Sequence, residues 1–216
     1  MEQISNNYNK TRHQLGWCRS GYGEYRINSI KFDTPLPLDK AINEICSNKS
    51  MVESLSDYRY FSNKTLKQIK KDLTKNDKIK DIQVTGMIDF GQTAMVFETT
   101  EGDVLKITNR EHFLGRKPQD FDIPIKSHAK LSPKSFCHYY LEEKVSNIFS
   151  NNEAEDLKQE IKNKGYKVVD FRNVQIGKTK DGKMVLIDPE CARKNDILGF
   201  FVQKFSKFKS YLKIIK

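Results

Sequence analysis

Apolar residues fall at helical spacing in two stretches of the first half of the chain. In TPLPLDKAINEIC, prolines precede a run in which Leu38, Ile42 and Ile45 share one face, so the pattern predicts a helix there. Over 63–73, Leu66, Ile69 and Leu73 form a second stripe while the lysines between them face water. After about residue 80 the period changes. DIQVTGMI, TAMVFETT and DVLKIT are short and β-branched or apolar, and EGD links the last two, which predicts an antiparallel meander. FDIPIKSHAKL and FCHYYLEEKV predict two further strands. A helix is expected over 152–164, entered through Glu153, Glu155 and Asp156 and stopped by Gly165. VVDFRNVQIGKTKDGKMVLID reads as an extended segment and then a hairpin turning at Asp181 and Gly182.

Two terminal stretches stand apart. The first thirty residues are polar, with a Gly/aromatic island, GWCRSGYGEYR, that reads as a loop covering an edge or as a stacking surface for bases. At the other end, DILGFFVQKFSKFKSYLKIIK predicts an amphipathic helix. Leu198, Phe201, Phe205, Phe208, Leu212 and Ile215 recur at spacings of three and four, and Lys204, Lys207, Lys209 and Lys213 lie on the other side. Such a helix packs on its own domain or lies on an acidic membrane surface.

Composition narrows the partners. The 216 residues carry a net charge of +10, which points to anionic partners: a phosphate-bearing ligand, nucleic acid or an acidic membrane. Cys18, Cys46, Cys137 and Cys191 are scattered and form no CxxC pair, so neither a zinc site nor a disulfide framework is signalled. No run reaches transmembrane length and the first residues have no apolar core of signal-peptide type. The expectation is a cytoplasmic protein, or one secreted into a host cell without a cleavable signal.

Candidate chemistry lies in three pieces that occur in one order. IDFGQTAMVF puts Gly91 in a turn between two strands, VLK ends in Lys106 on the next strand, and Asp170 and Gln175 precede the hairpin that delivers Asp188. At these residues, over about 82–195, the sequence resembles the protein kinase fold, and in its economy the cut-down kinases of bacteria, phages and secreted bacterial effectors. The resemblance implies an α+β fold with an antiparallel β-sheet N-lobe and a strongly reduced helical C-lobe. It also implies ATP and Mg²⁺ as cofactors and transfer of phosphate to a hydroxyl acceptor on a protein.

The same resemblance assigns roles. Backbone N–H groups at Gly91, Gln92, Thr93 and Ala94 would approach the phosphates, and Lys106 would set a point charge against them. Gln175 and Asp188 would hold the metal, and Asp170 would orient the acceptor hydroxyl. The chain departs from the family pattern in several places: Asp89 and Ala94 replace two lid glycines, Gln175 stands for the metal asparagine, and Pro189-Glu190 follows Asp188. Residues 1–80 read as a helical N-terminal extension and 81–216 as the minimal kinase-like domain. Some members of that group need a host protein to become active, so an activating or substrate protein joins the expected partners. Two other functions compete: a catalytically weak kinase fold used as a binding module, and a basic nucleic-acid-binding protein resting on Trp17, Tyr22 and Tyr25.

Overall fold

A computed structural model describes residues 18–20, 23–25, 30–47, 63–90, 94–113, 115–169, 171 and 175–194. Gly91, Gln92, Thr93, Asp170 and the stretch from 195 onward that holds the amphipathic C-terminal pattern lie outside the described residues. The chain divides into two compact units, residues 1–110 with 127–141, and residues 111–126 with 142–216.

The first unit opens with a short hairpin, β1 (Cys18–Ser20) and β2 (Gly23–Tyr25), inside the Gly/aromatic island that reads as a loop. β3 (Ile30–Pro37), α1 (Leu38–Ser47) and α2 (Asn63–Leu73) follow, then β4 (Gln83–Phe90), β5 (Ala94–Thr99), β6 (Asp103–Thr108), β7 (Ile125–Lys130) and β8 (His138–Glu143). These form a six-stranded sheet in the order β3-β4-β5-β6-β8-β7, with β3 to β6 paired antiparallel in sequence. β4, β5 and β6 are the expected meander.

β3 is an element that the pattern does not announce. It carries Pro35 and Pro37, and its pairing with β4 shifts register between Lys31 and Leu36. Proline cannot donate to a ladder, so such a strand belongs at a sheet edge, where β3 lies.

The core explains why both helices form. Leu38, Ala41, Ile42 and Ile45 of α1 and Leu66, Ile69 and Leu73 of α2 are buried with Val84, Met87, Phe97, Leu105 and Ile107 of the sheet. A ten-residue or eleven-residue helix is marginal in water alone. Its apolar stripe gains stability by burial at about 25 cal/mol per Å². The helices before residue 80 and the strands after it therefore share one core.

In the second unit α3 (Asn151–Asn163) precedes β9 (Tyr166–Val168), β10 (Ile176–Lys178), β11 (Met184–Leu186) and β12 (Ala192–Lys194). α3 starts one residue earlier than the acidic cluster predicts, because Ser150 and Glu153 form a reciprocal capping box. β10 and β11 are the expected hairpin, turning at Gly182, whose φ of +87° suits glycine. β9 pairs with β12, Val168 opposite Ala192. Phe121, Leu157, Ile161, Tyr166, Ile176, Leu186 and Cys191 form this unit's core.

Candidate functional site

The candidate residues fall on both units. In the first, Lys106 sits in β6 opposite Val96. Its neighbours Leu105 and Ile107 are fully buried in the core, so strand alternation directs Lys106 to the other face of the sheet. The side chain is nevertheless only 8% exposed. Lysine on a strand commonly protects a sheet edge from pairing with other chains. That explanation fails for Lys106, because β6 lies between β5 and β8. An ammonium on a buried face of an interior strand loses hydration and has to be compensated by acceptors or negative charge. Ala94 opens β5 and is buried.

In the second unit, β10 and β11 bring Gln175 and Asp188 to the open end of one hairpin. Ile176 pairs with Leu186, and the Ile187 N–H donates to the Gln175 carbonyl at 2.8 Å. Directly opposite residues carry their side chains on one face, so Gln175 shares its face with Ile187, and a regular strand would turn Asp188 away. The backbone bends there instead. Asp188 has φ −111° and ψ 89° and leads into a single 3₁₀ turn, Pro189–Cys191, with proline at its start.

Asp188 occupies the N-cap position of that turn, yet its side chain makes no capping hydrogen bond. The chain preceding Asp170 runs close by: the Val169 N–H donates to the Cys191 carbonyl at 2.9 Å. The strand leading to one predicted carboxylate is thus hydrogen-bonded to the turn that follows the other. Cys191 is buried in the core of the unit, as a small apolar residue would be.

Mg²⁺ suits this donor set. It takes oxygen ligands and binds through one or two carboxylates together with substrate phosphates. Among the described residues no group of three or more His, Cys, Asp or Glu side chains is gathered as a metal cage. Asp188 and the Gln175 amide would contribute two oxygen ligands, with phosphate oxygens and water completing the shell.

The sequence reading missed two buried polar pairs in the second unit. His112 Nε2 lies 2.7 Å from Glu142 Oε1, with both side chains almost fully buried. Arg116 makes two bonds of 2.6 Å to the Asp122 carboxylate. Nothing in the spacing marks these residues, because the partners come from irregular chain or from segments thirty residues apart. On the surface of this unit, Glu153 accepts from Lys178 and from the Ser150 N–H, and these bonds hold its carboxyl down at about 2.

The chain matches no protein-family model, no curated protein and no solved structure.

Proposed function

We propose that the chain is a minimal kinase-like protein that binds ATP with Mg²⁺ and transfers phosphate to a hydroxyl on a protein. The observation that carries this reading is Lys106: a lysine buried on an interior strand, the third of the antiparallel meander β4-β5-β6. A kinase places its phosphate-binding lysine on the third strand, beneath a lid made by the first two. Phosphate oxygens are acceptors of the kind that an ammonium binds.

The remaining roles follow from chemistry. Backbone N–H groups around 91–94 approach the phosphates without a bulky side chain in the way. Asp188 and Gln175 present oxygen to Mg²⁺, which when bound neutralises phosphate charge. Asp170 accepts the proton of the attacking hydroxyl as its oxygen bonds to the γ-phosphorus, and the bond from that phosphorus to the β-phosphate oxygen breaks to release ADP. Little covalent chemistry is asked of the protein, so positioning and charge carry the rate.

Lys106→Met tests the reading. Methionine keeps the length and apolar stem but removes the charge. ATP affinity should fall by about 10- to 100-fold, equivalent to the 1.5–3 kcal/mol of a charge-assisted hydrogen bond. The melting temperature is recorded alongside, so that binding is compared between folded proteins. Unchanged ATP binding in a folded Lys106→Met protein removes Lys106 from the site.

A further inference from the structure

We propose that Arg116 is the positioning residue for Asp188, acting through the backbone of the turn that follows it; this rests on the reading of Asp188 as a metal ligand. The Arg116 guanidinium is a hub with every donor engaged. Nη1 donates to Asp122 Oδ2 at 2.6 Å and to the Lys117 carbonyl at 3.2 Å. Nη2 donates to Asp122 Oδ1 at 2.6 Å and to the Pro189 carbonyl at 2.8 Å. Nε donates to the Ala192 carbonyl at 3.1 Å. Five N–H groups thus meet five acceptors, the full capacity of the side chain.

Two of those acceptors decide the role. Pro189 is the residue after Asp188, and Ala192 closes the 3₁₀ turn that Asp188 begins. Arg116 therefore grips the turn at both ends. The same segment holds the chain before Asp188 as well. Leu186 donates its N–H to the Phe121 carbonyl at 2.8 Å, and the Ile123 N–H donates to the Leu186 carbonyl at 2.9 Å. The backbone of Asp188 is bracketed two residues upstream and one residue downstream by chain 116–123.

The hub is rigid and dry. The Arg116 and Asp122 side chains are 6% and 1% exposed. The guanidinium lies over the rings of Phe113, Phe121 and Tyr166, at 5.2, 5.5 and 5.5 Å from their centroids. A third bond to this carboxylate, from the Gln119 N–H to Asp122 Oδ2 at 2.7 Å, keeps the aspartate in place. A planar fork serves this arrangement and a lysine ammonium does not, because three donors on a flexible stem cannot span a carboxylate and two carbonyls. Groups that orient a metal ligand without touching the metal govern affinity for it.

The test measures ATP affinity of the full chain across a Mg²⁺ titration, for wild type, Asp188→Asn and Arg116→Lys. In Arg116→Lys, ATP affinity in chelator should match wild type, while the Mg²⁺ midpoint rises by about 10- to 100-fold. A merely structural role lowers the melting temperature and the fraction of protein that binds, and leaves the midpoint of the folded fraction where it was. A folded Arg116→Lys protein with the wild-type midpoint overturns the proposal while leaving Asp188 as a ligand. Equal metal dependence in wild type and Asp188→Asn overturns the ligand assignment, and the positioning role with it. Should Arg116→Lys not fold, Asp122→Glu keeps both charges and displaces the guanidinium by one methylene. A raised midpoint there supports the proposal, and an unmoved one overturns it.

Discussion

Gly177→Ala probes how tightly the hairpin that delivers Asp188 is packed. Gly177 lies in β10 opposite Val185, two residues beyond Gln175. A Cβ added there would sit 2.2 Å from Val145 Cγ2 and 2.7 Å from Val145 Cβ. Val145 cannot step back freely, because its neighbour Ser146 exchanges two backbone hydrogen bonds with Lys178, at 2.9 and 2.8 Å. Two effects compete. Alanine restricts the unfolded chain and stabilises by about 0.4–1 kcal/mol. Overpacking a closed site costs about 1–3 kcal/mol. The clash wins, for a net loss of about 1–2 kcal/mol and a fall in melting temperature of roughly 2–8 °C. Urea denaturation should give a lower midpoint at unchanged slope. In a Val145→Ala background the nearer contact disappears, so the Gly177→Ala penalty should shrink, with a coupling of about 1 kcal/mol in the double-mutant cycle. A Gly177→Ala protein as stable as wild type, or a penalty indifferent to Val145, refutes this packing.

Two other perturbations address the two units separately. Ile69→Ala empties a fully buried position shared by α2 and the sheet, and should cost about 2–5 kcal/mol by urea denaturation; a loss of only about 0.5 kcal/mol, as for a surface site, contradicts the shared core. Glu153 has its carboxyl held at about 2 by Lys178 and then by the Ser150 N–H, against 4.5 ordinarily. The unfolded chain therefore takes up that proton first, so the stability these bonds contribute is present above about pH 4.5 and is lost as pH falls toward 2. Glu153→Gln should flatten this stretch of the stability–pH curve, and an unaltered curve contradicts the linkage.

Local periodicity carried much of the secondary structure into view. The stripes of α1 and α2 and the alternation in β4, β5 and β6 each follow from burying one face, and a burial pattern is written in the residues themselves. β3 escaped because its two prolines argue against a strand, and only its position at an edge makes them tolerable. β9 and β12 escaped because three-residue strands have no period to read, and their pairing joins segments more than twenty residues apart. α3 starts at Asn151, one residue before the acidic cluster points, because the capping hydroxyl of Ser150 sets the entry.

The candidate site was legible in part for the same reason. Lys106 stands within a readable strand and Asp188 just beyond the end of another. What gives Lys106 its weight is strand order, which puts β8 beside β6, and order is a tertiary property. The Arg116 hub had no local signal, since two of its three carbonyl partners are backbone atoms more than seventy residues away.

The central claim rests most directly on Asp188. Asparagine suits the same turn, makes no net demand on the hairpin and removes one negative charge. The measurement is ATP affinity of the full chain as a function of Mg²⁺, wild type against Asp188→Asn, with melting temperatures recorded alongside. The account predicts that wild-type affinity rises with Mg²⁺, and that Asp188→Asn loses this rise while melting like wild type. Equal magnesium dependence in the two proteins contradicts it.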